Sequence, residues 1–192
     1  MRVRWTRWDQ VSLEGLLWIL PGLALLQVLV HLVRAARGDA LTSRGHVPEQ
    51  LVTAAEPVTG ALSGAVVVQD PSAAQYAWAL APLVVLLVLA VVVARLLLGV
   101  VRSLRDADPF AAVNARRFAA LSSVVIVGGL LFQFLEGIAH ARTIAPLLPD
   151  GPTTWTLDLE LWPVLVGGAL FGFLAEVFAR GARLREDVEG LV

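Results

Sequence analysis

Four stretches of this chain hold no charged side chain: residues 15–33, 77–94, 118–135 and 161–175. Each approaches the roughly 20 helical residues that cross a hydrocarbon core of about 30 Å. In lipid such a run has to be helical, because a helix satisfies every backbone N–H and C=O within its own segment. Composition points the same way. The chain is 57% hydrophobic and 16% charged, against about a quarter charged for a soluble domain. The expected fold is all-α: an integral membrane four-helix bundle in a single domain, 1–192. Its helices are expected at about 11–34, 76–104, 109–144 and 161–184, with a polar hinge at 102–117 and a tail at 181–192.

The segments between the runs have their own character. Residues 1–14 interleave Arg2, Arg4 and Arg7 with Trp5 and Trp8, the pattern of an anchor at a membrane interface. The first run is too long for the apolar part of a signal peptide, and no small-x-small cleavage site follows it, so a retained helix is expected. Pro21, Gln27 and His31 interrupt that run. Residues 35–75 are rich in glycine and proline and read as a short, irregular loop. Its β-branched run at 65–69 suits one strand or half of a hairpin. Residues 145–160 form a second, acidic loop. Trp78 and Trp155 mark the interface on that side, and Pro163 suits the start of the fourth helix.

Charge fixes the expected orientation. Four spans put both termini on one side, and that side with the hinge and Arg95 carries eleven of the fifteen arginines; Arg34, Arg37, Arg44 and Arg142 lie on the other. The positive-inside rule then places both termini and the hinge in the cytoplasm, and the 35–75 and 145–160 loops outside it. Arg95 is seven residues from Arg102, about 10 Å along a helix, and can snorkel to the same interface. Within the hinge, Asp108 is placed to N-cap a helix with Pro109 at its first position. Phe110, Val113 and Arg117 then share one face, and Asn114 lies on another.

Residue types exclude much chemistry. The chain has no cysteine and no lysine, which removes thiolate ligands, a cysteine nucleophile, a phosphate-loop lysine and a Schiff base. No HExxH, GxSxG, CxxC or GxGxxG occurs. No enzyme activity, catalytic residue, cofactor or metal is expected; His31, His46 and His140 are scattered and lack the spacing of zinc ligands. A net charge of −1 argues against direct nucleic-acid binding.

Two acid–base pairs stand four residues apart on helices. Glu136 and His140 fall near the end of the third helix, where they suit either an interfacial helix end or a proton or cation site. Glu176 and Arg180 fall near the end of the fourth, where they suit either a surface ion pair or a polar cluster. That cluster would join Asp108, Pro109, Phe110, Asn114 and Arg117 of the hinge to Glu176, Arg180, Arg183, Glu186 and Asp187. Gly128, Gly129, Gly168 and Gly172 allow close helix packing, within the chain or in a homo-oligomer.

Two stretches carry a resemblance. Residues 108–117 (DPFAAVNARR) and 176–192 (EVFARGARLREDVEGLV) are similar to the hinge and the C-terminal signature of an uncharacterised bacterial four-helix membrane family, domain of unknown function 2975. Members of that family often stand beside a small helix-turn-helix regulator. The resemblance therefore implies a regulatory or sensory protein of the bacterial plasma membrane, whose partners are the bilayer and such a regulator, met by the hinge and tail. The alternative read from the residues is a small transporter, channel or immunity-type protein using Glu136, His140 or Glu176.

Overall fold

The computed structural model describes residues 7–47, 62–105, 111–147 and 160–189. Helix α1 (Arg7–Arg37) is followed by strands β1 (Leu41–Val47) and β2 (Leu62–Val68) and by helix α2 (Ala73–Arg105). The third helical rod is composite. It runs as α3 (Ala112–Ser123), a π turn (Val124–Gly128), α4 (Gly129–Ile144) and a 3₁₀ turn (Ala145–Leu147). Helix α5 (Leu161–Glu189) closes the chain.

Among the described residues four spans are long and apolar enough to cross a membrane: Ser12–Arg37, Ala73–Ser103, Ala112–Leu147 and Leu161–Asp187. These are the helices of a multi-pass membrane protein. Only 11–22% of the apolar window in each span is buried within the protein. Side chains such as Leu20, Leu29, Val127, Leu170 and Phe173 are left exposed, an apolar surface that soluble monomers do not carry.

The ends of the helices are built locally. Gly38 has φ 70°, the left-handed conformation that costs glycine nothing. It lets Gly38 N–H donate to Ala35 O (3.3 Å) and Asp39 N–H to Arg34 O (3.0 Å), the two bonds of a Schellman cap. At the start of α2, Gln75 Oε1 accepts from Ser72 N–H (2.8 Å), and Gln75 N–H donates to Ser72 Oγ (3.3 Å). This is a capping box, Ser-x-x-Gln.

One expectation is extended and one is corrected. The 65–69 run, expected as one strand or half of a hairpin, falls largely in β2 and has its partner in β1, while residues 48–61 lie outside the described residues. β1 and β2 pair antiparallel from Leu41↔Val68 to Val47↔Leu62. Leu41, Val68 and Tyr76 form a buried cluster against Ala35 and Ala79, so the hairpin's own apolar residues hold it to the helix ends. The correction concerns the start of α3. Its N-cap is Ala111 (φ −55°, ψ 133°), with no side-chain cap, and not Asp108 with Pro109 at the first position; Asp108, Pro109 and Phe110 lie outside the described residues.

The chain divides into two compact units: 1–25, 87–129 and 161–192 in the first, and 26–86 and 130–160 in the second. In the first, Val100, Phe118 and Leu121 are buried against Leu96, Phe171, Leu174 and Phe178. The ring of Phe118 lies 4.9 Å from that of Phe178 and 6.5 Å from that of Phe171, centroid to centroid. Glycines make this packing close. A Cβ on Gly129 would stand 2.9 Å from Val164 Cγ2, and one on Gly168 or Gly128 would overlap Ile126 or Leu89. Ser122 Oγ donates to Gly168 O at 2.8 Å. Gly128, Gly129 and Gly168 thus serve contacts within the chain, while a Cβ on Gly172 would sit 3.4 Å from Ser122 Oγ, with ordinary room.

Candidate functional site

Two polar arrangements stand out, one in each unit. In the first unit, Asn114 is completely buried at the first turn of α3. A buried amide has to find partners or lose them at a cost. Its Nδ2 donates to Ser103 Oγ at 2.6 Å, and Ser103 Oγ donates in turn to Val100 O at 2.8 Å. Arg117 Nη1 donates to Asn114 Oδ1 (3.0 Å) and to Gly99 O (2.6 Å). The guanidinium lies so close to α2 that a Cβ on Gly99 would stand 2.7 Å from Arg117 Nε. The network ties the start of α3 to the end of α2.

This differs from the cluster the sequence led us to expect. Arg117 turns to α2 and not to the acids of the last helix. Glu176 Oε1 accepts from Arg180 Nε at 2.7 Å, with side chains 58% and 73% exposed. The pair is the surface ion pair of the plainer reading, because α5 presents this face outward instead of into the bundle. Arg183, Glu186 and Asp187 are exposed on the same helix, as are Arg95 and Arg102 on α2.

In the second unit the polar groups converge. Tyr76 Oη donates to Asp39 O, beside the Gly38 turn. His31 Nε2 donates to Tyr76 O at 3.0 Å, and the two rings meet edge to face at 5.9 Å. Ser43 Oγ of β1 and His140 Nδ1 of α4 are hydrogen-bonded at 2.7 Å. Gln75 Nε2 donates to the buried Thr143 O at 2.7 Å, so one glutamine caps α2 and binds α4. The Arg142 guanidinium stands 5.6 Å over the Trp78 ring, a cation–π contact. Gln133 Nε2 donates to Glu160 O at 3.1 Å.

A cavity of about 650 Å³ opens among these groups, within the 300–1,000 Å³ common for small-molecule sites. His31, Arg34, Ser43, Arg44, Glu136 and His140 supply its polar lining. Of the expected polar residues, Glu136 and His140 therefore line one cavity from the same helix, and His31 lines it from another. The side chain of His46 lies outside the described residues. Among the described residues no three histidines or carboxylates are grouped to hold a metal.

Several of these residues carried a weak signal or none. Ser72-x-x-Gln75 is a readable capping box. Gly99 and Ser103 sit in the second helix without any local mark, and Ser43 belongs to a strand whose sequence, LTSRGHV, shows no alternation. Compared with known proteins, the chain matches no family model, no curated protein and no solved structure.

Proposed function

We propose that the chain is a regulatory or sensory multi-pass protein of the bacterial plasma membrane. In this reading both termini, the hinge and the tail are cytoplasmic, and hinge and tail together contact a small helix-turn-helix regulator. The observation that carries the reading is the packing of Phe118 on Phe171 and Phe178. It joins the helix that begins at the hinge to the helix that ends in the tail within one compact unit. The exposed charges Arg102, Arg116, Arg183, Glu186 and Asp187 thereby belong to one body. Their mixed signs suit a protein surface, whereas nucleic-acid phosphates call for a basic excess. The arginine asymmetry, eleven against four, supports a cytoplasmic position. The resemblance to the bacterial membrane family supplies the class of partner.

The test is co-purification of the regulator with the full chain from membranes. A charge-reversed tail, Arg183→Glu with Glu186→Arg and Asp187→Arg, is expected to lose the regulator while the chain still inserts. Equal recovery with the reversed tail and with residues 181–192 deleted would sink the reading.

A second reading, a small transporter or channel, draws on the cavity that holds Glu136 and His140. Ion or solute flux in liposomes above background, lost in Glu136→Gln, would favour it over the regulatory reading.

A further inference from the structure

The cavity of the second unit is lined by a basic, hydroxyl-bearing group of residues near the hairpin and by apolar residues further along the helices, with Gln27 and Glu136 as the polar groups among the latter. Arg34, Thr42, Ser43 and Arg44 line it at the C-terminal end of α1 and the adjoining start of the hairpin. Leu26 and Val30 of α1, Leu83 and Leu86 of α2, and Phe132 of α4 line it further along the helices. From Arg34 to Leu26 is eight residues, and so is His140 to Phe132; each is roughly 12 Å of helix. The hydrogen bond between Ser43 and His140 holds the hairpin against α4 at the polar end.

The charge of the lining has a sign. Two arginines stand against one carboxylate, Glu136, with two histidines beside them. The lining is therefore net positive whether the imidazoles are neutral or protonated. Arg34 and Arg44 are exposed and have no ion pair among the described residues. Hydroxyls of Thr42 and Ser43 add hydrogen-bonding capacity at the same end. A basic, donor-rich mouth above an apolar floor is complementary to a head that is anionic and a tail that is not.

The geometry points to a binding site for a single-chain anionic amphiphile. Its carboxylate or phosphate head would be taken by Arg34 and Arg44, and its acyl tail would lie along Leu26, Leu83, Leu86 and Phe132. A cavity of about 650 Å³ has room for one such chain. The same chemistry could come from a free fatty acid or from a lysophospholipid, and headgroup preference separates the two. The site goes beyond the regulatory reading and stands or falls separately from it, since it involves neither hinge nor tail.

The experiment is native mass spectrometry of the full chain released from a non-ionic detergent, titrated with laurate, lauroyl lysophosphatidylglycerol and dodecylamine. We expect a saturable one-to-one adduct with one or both anionic probes and none with the amine. A preference for laurate would assign a fatty acid, and a preference for the lysolipid a membrane-derived ligand. Arg34→Gln with Arg44→Gln changes only exposed side chains and is expected to weaken the adduct on the order of tenfold or more. Leu83→Trp, which fills the apolar part of the cavity, is expected to abolish it, while Arg95→Gln, an exposed arginine of α2 outside the cavity, leaves it intact. Equal adducts from amine and anions, undiminished binding in the double arginine variant, or no saturable adduct would each overturn the assignment.

Discussion

Asn114 shows how a single residue turns a polar linker into a fixed joint. It is wholly buried and is bonded to Ser103 and Arg117, so removing its amide takes a partner from both part-buried side chains. Asn114→Ala is expected to destabilise the chain by about 1–3 kcal/mol, read as a lower thermal midpoint in detergent. Glu176→Gln, which breaks an ion pair exposed on both sides, is expected to leave the midpoint unchanged. Gly99 and Arg117 act as a unit, because any side chain at 99 meets the guanidinium. A double-mutant cycle of Gly99→Ala and Arg117→Ala is expected to be strongly non-additive, the second change costing little once the first is made. Asn114 and Arg117 were legible in the sequence as polar residues three apart at a helix start. Their partners were not, since Gly99 and Ser103 look like any small residues at the end of an apolar helix. The charge pairing expected with Glu176 failed for a related reason. Sequence spacing places residues on a helix face, but which way the face turns is decided by packing, here by Phe118 on Phe171 and Phe178.

Among the elements, the long helices were legible because each needs an uncharged run and nothing else in a chain of this composition can use one. The composite third rod was not. No local signal distinguishes a π turn over Val124–Gly128 from a continued α-helix. What it meets is visible only in three dimensions, where Gly128 and Gly129 lie against Leu89 and Val164. Gly168→Ile is expected to cost about 1–3 kcal/mol through overpacking, because the stem of Ile126 already occupies the space a side chain would need. Gly128→Ala is expected to be milder, since the atom in its way is the rotatable end of Leu89. Loss of monodispersity in size-exclusion profiles would report the difference. The hairpin was half legible: the valines of β2 announce a strand, but β1, with Ser43, Arg44 and Gly45 at its centre, does not. Its place is set by tertiary contacts, Leu41 against Tyr76 and Ser43 on His140. Gln75→Ala removes both the capping box and the bond to Thr143. It is expected to lower stability by more than the ~1 kcal/mol of an ordinary cap.

For the whole molecule, the account rests on which side of the membrane each polar segment occupies. In the proposed orientation, argued from the arginine asymmetry, the hinge and tail are cytoplasmic and the hairpin with its cavity lies on the other side. Regulator contact through the tail needs that arrangement. The chain has no cysteine, so single thiols can be introduced without a background. Thr42→Cys and Glu186→Cys both replace exposed side chains. With a membrane-impermeant maleimide on intact cells, or on spheroplasts where an outer membrane intervenes, Thr42→Cys is expected to label at once and Glu186→Cys only after lysis. Labelling of Glu186→Cys with protection of Thr42→Cys would invert the topology and contradict the account, and labelling of both before lysis would remove the four-span arrangement itself.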